Sequence, residues 1–576
     1  MGKKLAIMSN RGVQCARNAL TFDVCAVFVV GIVLCSPLLT VQHITAGHDF
    51  PFQINRLRSF WHVFSQHQFL PQIDQDGYFS MGIAAHIIYP PLTSILSLAL
   101  KILSPVGDVF STNFAVNSML ILIVLGCGFS MRRLVLSVFK SRIGAAVSAI
   151  IYMSMPYLFT DILGRAAYPE AMAMSFLPLL FLGIYNLAVD KPALRYLVIS
   201  MTGIVLAHQL SVMIAAIFAV PFGLVFAKRI KLRNWGRLAA SFAVTLGLCS
   251  FWLMPFFELS RIGIYSLFCA DFEQYKAQTV GAMASGSQPI SSLFGFDNKQ
   301  NTLIHETLGL WGIFAIVLIA VCIFFLARAR ASVEMLKKPK SMLVCVFFLE
   351  GVLSLILSSN LIDWAVMPHF FVKMQFSFRF LSFSSFAFAA IAGPALVFVL
   401  RNVISWPKIA RWQSLKCFVG ETVLKKIVLL SICFLALLNI MPNYSKPVYG
   451  AIAWQYSPEF LTVEGDAVPF NLNLEIANQP EDNKVLPPAG SKIYYPGYEA
   501  KDTSGEIYEV KDFDEYGLIN SNNYQDLHHS YSFGTKIGII TTLLTALFCA
   551  LYLIRKRRRR SVQMLNSVLT ETSPST

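Results

Sequence analysis

The chain reads as an all-α polytopic membrane protein of about twelve transmembrane helices. It adds interfacial helices in a first outer loop and a small β-rich C-terminal ectodomain before the last helix. Three observations predict this class. Only 14% of the residues are charged and 55% are hydrophobic, whereas a soluble chain needs roughly a quarter charged to cover its surface. The apolar residues gather in runs of about 20, the length that crosses a hydrocarbon core. Most of the 47 basic residues lie between those runs, for example Lys3, Lys4, Arg11 and Arg17, or Lys228, Arg229, Lys231, Arg233 and Arg237, ending in the block from Arg555 to Arg560. Short basic loops stay cytoplasmic. The net charge of +15 is thus topological, and nucleic acid is not the partner it implies.

Taken in order, residues 1–19 form a cytoplasmic N-terminus and 20–441 a transmembrane domain whose first outer loop covers 42–111. The first apolar run lacks a small-residue cleavage pattern and reads as a retained anchor. Twelve crossings, the first near 20–41 and the last at 534–554, put every basic cluster and both termini in the cytoplasm. The run from Ile87 to Leu103 would break that parity; it begins Tyr89-Pro90-Pro91 and carries Lys101, so it reads as a helix in the outer interface. Residues 442–533 contain alternating stretches such as Asn471–Ile476, Lys492–Tyr498 and Gly505–Val510, which predict a β-rich outer domain. The tail 555–576 is basic and polar and predicts disorder. None of the eleven cysteines falls in 442–533, and no disulfide framework or paired thiolate spacing is visible.

The chemistry concentrates in GHDFPFQINR, residues 47–56. Pro51 suits the first turn of a helix, predicted over 51–65. On it Gln53 and Arg56 share a face by i,i+3 spacing, with Asp49 just ahead of the start. Aspartate and arginine at a bilayer surface suit work on a phosphorylated lipid: one group takes a proton, the other holds a phosphate. The plain alternative is that Asp49 favours the helix start and the arginines touch headgroups. A second short outer loop, DILGRAAYPEA (161–171), carries Asp161, Arg165, Tyr168 and Glu170. His208 in AHQLS reads either as a satisfied polar group at a hairpin or as a ligand. Arg379 in FSFRFLSF reads as a snorkelling cation or a phosphate clamp. Glu350 is an acid midway along a span, which is a functional hypothesis in a membrane, although a neutral or paired structural role fits it as well. Asp74-Gln75-Asp76-Gly77 resembles a metal-binding D-x-D but reads better as a turn. There is no P-loop and no metal-histidine helix motif.

GHDFPFQINR after the first span, Tyr89-Pro90-Pro91 leading into an interfacial helix, GRAAYPEAMAMSFLPLLFLGIY, AHQLS, FWLMPFFE and FRFLSF follow an order that resembles one family over roughly residues 15–555. It is the bacterial membrane proteins labelled 6-pyruvoyl-tetrahydropterin synthase-related, akin to the GT-C glycosyltransferases, including those that add sugars to lipoteichoic acid. The resemblance implies a GT-C-like fold in a bacterial cell membrane. It also implies a polyprenyl-phosphate-linked sugar as donor and a cell-envelope polymer or lipid as acceptor. Asp49 matches the first-loop carboxylate, and Glu170 the second-loop acid. Arg56 and Arg165 match basic positions suited to the donor phosphate. His48, Gln53, Tyr89, Tyr168, His208 and Arg379 complete the donor- and acceptor-binding set. Gln53 stands where the family leads one to expect histidine, which removes an acid role there. No metal site is compelling and a divalent metal requirement stays open; no pterin chemistry is implied. The competing readings are a transporter or flippase of a lipid-linked saccharide, which needs ionisable groups near the midplane, and a non-catalytic envelope accessory protein.

Overall fold

Apolar helices make up most of the computed structural model, which describes residues 21–40, 47–66, 68–74, 82, 84–262, 272–295, 306–328, 334, 337–404, 429–440, 491–512 and 518–571. The helices used below are α1 (Phe22–Leu34), α2 (Phe50–Ser65), α3 (Leu92–Ile102), α4 (Asp108–Phe139), α5 (Arg142–Met153), α6 (Tyr168–Met174) and α7 (Leu177–Ala188). They continue with α8 (Leu194–Ala207), α9 (Gln209–Phe226), α10 (Leu232–Ser260), α11 (Gly309–Arg328), α12 (Pro339–Leu357), α13 (Leu381–Ile404) and α14 (Phe533–Glu571).

Among the described residues, eight helical segments are long and apolar enough to cross a membrane, and a bent pair, Arg142–Met153 with Pro156–Gly164, makes a ninth. Three more sequence-predicted crossings coincide with α1, α8 and Leu429–Ile440, which are apolar helices of 10–17 residues. At 1.5 Å per residue such helices fall short of a hydrocarbon core of about 30 Å. Length alone therefore supports fewer crossings than twelve. The expected interfacial helix is α3, which has 11 residues, too few to span. Lys101, near its end, donates to Ser111 Oγ at 2.6 Å and lies 4.9 Å from the Trp61 ring centroid, so it joins α2, α3 and α4.

The bundle closes around phenylalanine. Phe181 on α7 meets Phe222 on α9, Phe347 on α12 and Phe386 on α13 with ring centroids 5.0–5.5 Å apart, within the range that favours tilted and edge contacts. Where α5 crosses α13, the backbones nearly touch. A Cβ added at Gly393 would run into the Gly144 carbonyl and come within 2.5 Å of Ser148 Oγ. The Gly393 N–H instead donates to that hydroxyl at 3.2 Å, the small-residue solution to helix packing in lipid. At one end of the bundle a half-buried ion pair, Arg132 Nη2 to the buried Asp23 Oδ2 at 2.6 Å, ties α4 to α1.

The segment before the last helix contributes five short strands: β1 (Ser491–Ile493), β2 (Tyr498–Lys501), β3 (Ile507–Glu509), β4 (Leu518–Asn520) and β5 (Gln525–His529). β1 pairs antiparallel with β4, and β2 lies between β3 and β5, antiparallel to both. The expected strands at 492–498 and 505–510 therefore form in part, while Asn471–Ile476 lies outside the described residues. Tyr494, Tyr495 and Tyr498 pack on Ile73, Ile87, Ile88 and Leu259, which seats the strands on the first loop. Gln72 Nε2 donates to Thr535 Oγ1 at 2.7 Å from the same loop to the last helix. That helix continues to Glu571, through most of the tail 555–576 where disorder was expected. Of the D-x-D stretch only Asp74 is described; it is buried.

Gly393→Val is expected to force α5 and α13 apart, at about 1–3 kcal/mol for overpacking. A lowered thermal midpoint of the detergent-solubilised protein checks it; an unchanged midpoint would contradict the crossing.

Candidate functional site

Pro51 falls in the first turn of α2, and Asp49 takes the N-cap position without a side-chain capping bond. Its carboxyl is free for other work: the side chain is 44% exposed, with His48 Nδ1 2.8 Å from Oδ1. The backbone there is fixed. His48 N–H donates to the Gly164 carbonyl and Asp49 N–H to the Arg165 carbonyl, both at 2.8 Å. Gly47 is needed for that approach, since a Cβ would come within 2.6 Å of Ala166 N and 2.8 Å of the Leu163 carbonyl. Ala166 itself takes φ +59°, an uncommon conformation for a non-glycine residue. Thus the first loop and the 161–171 segment, over a hundred residues apart in sequence, meet through their main chains.

The 161–171 segment corrects the sequence expectation. It is not an exposed outer loop: Thr160–Gly164 is a π-turn and α6 begins at Tyr168. Asp161, Arg165, Tyr168 and Glu170 are all buried. The π-turn, closed by Arg165 N–H to the Thr160 carbonyl at 2.7 Å, turns Asp161 and Arg165 toward each other, with Arg165 Nη1 2.5 Å from Asp161 Oδ1. Glu170 Oε2 takes Arg379 Nη1 at 2.6 Å and Arg165 Nη1 at 3.4 Å. Its other oxygen accepts from Tyr157 OH at 2.7 Å. Arg379 also donates to Gln375 Oε1 at 3.2 Å and lies over Phe376, while Arg165 lies 4.6 Å over Phe378. Glu170, expected beside Asp49 as a reacting acid, has both oxygens engaged. It holds two guanidiniums in place.

Among the described residues, Arg56 is the largest charged side chain buried outright. Its Nη2 donates to Gln53 Oε1 at 3.1 Å and to Thr93 Oγ1 at 2.7 Å, and Nη1 reaches the Pro90 carbonyl at 3.4 Å. The guanidinium stands 5.4 Å from the Tyr89 ring centroid. Among the described residues no carboxylate pairs with it. Burial pulls it down to about 10, so it stays charged at neutral pH. Tyr89 is pushed up by burial, with Arg56 and Arg379 opposing and Asp49 adding to the rise; these charges therefore all reach one hydroxyl. His208 sits at the break between α8 and α9 with Nδ1 2.9 Å from Ser211 Oγ, in electrostatic reach of Arg379, Glu170, Arg165 and Arg56. Asp49, Gln53, Arg56, Tyr89, Arg165, Glu170, His208 and Arg379 converge. Tyr168 is buried at the start of α6, and the exposed His48 side chain meets the Asp49 carboxyl.

Sequence reasoning missed Tyr157, Thr93 and Gln375, which position the cations. Only the i,i+4 spacing of Asp161 and Arg165 hinted at the buried pair. Among the described residues, no three His, Cys, Asp or Glu side chains gather closely enough to hold a metal ion.

No family model matches the chain. It is 23% identical over 244 residues to an uncharacterized protein of Lactococcus lactis subsp. cremoris (strain MG1363), a match covering 40% of this chain. The chain spans only 38% of that curated relative's length. The likeness carries no activity with it.

Two outcomes follow from the buried charges. Glu170→Gln strands Arg379, while Arg165 keeps Asp161, and removing one partner of a buried pair costs about 3–5 kcal/mol. A drop in thermal midpoint, partly recovered in Glu170→Gln/Arg379→Gln, checks it; equal loss in the double variant would contradict it. His86, beside Arg56, contacts Ser59 Oγ at 2.9 Å and is pulled from its ordinary 6.5 down to about 3 by burial and then by the Arg56 charge. Between those values the unfolded chain binds a proton that the folded one refuses, so stability falls as pH drops below about 6.5. One such proton gives a slope of about 1.4 kcal/mol per pH unit. His86→Phe should flatten that part of the pH–stability curve.

Proposed function

We propose that the protein moves a sugar from a polyprenyl-phosphate carrier to a cell-envelope acceptor at the outer face of a bacterial cell membrane. The observation that carries this reading is the half-exposed Asp49 carboxyl, fixed by two backbone bonds against a buried group of cations. In this reading Asp49 takes the proton from an acceptor hydroxyl as its oxygen attacks the anomeric carbon. The bond from that carbon to the phosphate oxygen breaks, and its electron pair stays on the phosphate. Arg56, a buried cation with no carboxylate partner among the described residues, faces the charge that develops there; prearranged charge of this kind is commonly the larger contribution. Arg165 and Arg379, largely neutralised by Asp161 and Glu170, shape the wall of the cleft. His48, with Nδ1 2.8 Å from Asp49 Oδ1, orients the carboxyl.

The reading brings with it a GT-C-like topology of twelve crossings: the nine that length supports plus α1, α8 and Leu429–Ile440. Both termini then lie in the cytoplasm and 442–533 outside. Packing of the strand region on the first loop favours delivery of the acceptor polymer next to Asp49. A transporter or flippase of a lipid-linked saccharide is the second reading, favoured by Glu350 on α12, which is buried with both carboxyl oxygens unpartnered among the described residues.

Asp49→Asn in membranes supplied with a polyprenyl-phosphate-linked sugar should lower transfer by about 10²–10⁴-fold, the usual worth of a positioned base, with donor binding kept. Arg56→Gln should weaken donor binding itself. Unchanged envelope-sugar content in a normally expressed Asp49→Asn strain would remove the catalytic claim, and saccharide efflux from vesicles would favour transport.

A further inference from the structure

At the end of the bundle away from Asp49, two arginines share one neutral partner. Arg133 lies 22 residues beyond Ser111 along α4, about 33 Å at helical rise, and Arg195 opens α8. Arg133 Nε donates to the Tyr196 hydroxyl at 2.8 Å and Arg195 Nη2 to the same oxygen at 2.7 Å. Both guanidiniums also lie against the Tyr196 ring, 5.6 and 4.6 Å from its centroid. Two like charges focused on one hydroxyl repel each other, and neither has a carboxylate partner among the described residues. The nearby acids are committed elsewhere. Asp23 pairs with Arg132, and Asp190 is taken by Lys231, Arg233 and Arg237 at 2.8, 3.0 and 3.7 Å. Tyr196 is only 8% exposed, so its hydroxyl is a built part of the wall rather than a mobile surface group. That oxygen accepts from both arginines, which leaves its own O–H to donate outward. The open faces of two arginines and that hydroxyl make a compact set of donors with net positive charge and no acceptor.

We propose that Arg133, Arg195 and Tyr196 bind the phosphate of an anionic lipid headgroup in the leaflet opposite the Asp49 cleft. Guanidiniums are the side chains best matched to phosphate oxygens, charge-assisted bonds to phosphate are the strong ones, and basic pockets between helices at a membrane surface suit anionic headgroups. The site is separate from the cleft and does not depend on the transfer reaction.

The test uses the full chain in phosphatidylcholine nanodiscs with and without phosphatidylglycerol, reading retained lipid by native mass spectrometry and the thermal midpoint. Phosphatidylglycerol should be retained and should raise the midpoint of the wild type. Arg133→Gln/Arg195→Gln should weaken that retention on the order of tenfold or more, and Tyr196→Phe, which keeps both charges, should weaken it by less. Should the double variant fail to fold, Tyr196→Phe alone decides. Equal retention by all three proteins would overturn the site. A parallel titration of the detergent-solubilised protein with inorganic phosphate separates the sources. Stabilisation by phosphate without any effect of phosphatidylglycerol would overturn the lipid source and leave a soluble phosphate ligand.

Discussion

Two main-chain hydrogen bonds hold the candidate site together, from His48 to Gly164 and from Asp49 to Arg165. They join a loop that follows α1 to a turn between two apolar helices. Main-chain bonds of this kind fix position without using any side chain, so Asp49 stays open to solvent while Arg165 and Glu170 are buried. The cost is conformational: Ala166 holds a left-handed backbone, and Gly47 is confined to a residue without a Cβ.

Behind that seam lies a set of charges that water does not reach. Asp161, Arg165, Glu170 and Arg379 balance one another in charge, and Tyr157 and Gln375 add further bonds. Such a network is stable only when complete, because an unpaired charge in a low dielectric is costly. It therefore behaves as a rigid wall. Arg56 differs: its partners Gln53, Thr93 and the Pro90 carbonyl are all neutral, so among the described residues no carboxylate balances its charge. The proposed division of labour is that the balanced pairs give shape, Arg56 gives charge and Asp49 gives basicity.

Local features of this arrangement were readable from the chain. Pro51 marked the start of α2, the three-residue spacing of Gln53 and Arg56 gave their shared face, and the doubled proline after Tyr89 marked the short α3. Long-range contacts were not. Arg379 meets Glu170 across 209 residues and Arg56 meets Thr93 across 37, and no periodicity encodes a partner chosen by helix packing. The 161–171 segment misled for a physical reason. Polar side chains clustered in a short segment imply water when their partners are unknown, whereas here Asp161, Arg165 and Glu170 pair with one another and with Tyr157 and Arg379 inside the protein. Crossing number was likewise blurred, because α1, α8 and Leu429–Ile440 are apolar yet short.

In the proposed reaction the lipid phosphate and the acceptor meet between Arg56 and Asp49. The most direct measurement is a cryo-electron microscopy map of the full chain with a non-hydrolysable polyprenyl-phosphate sugar analogue. Phosphate density within hydrogen-bond distance of the Arg56 guanidinium, with the sugar beside the Asp49 carboxyl, is the predicted result. Density for the lipid phosphate near Glu350, or at the Arg133 end of the bundle with the Asp49 cleft filled only by water, would contradict it.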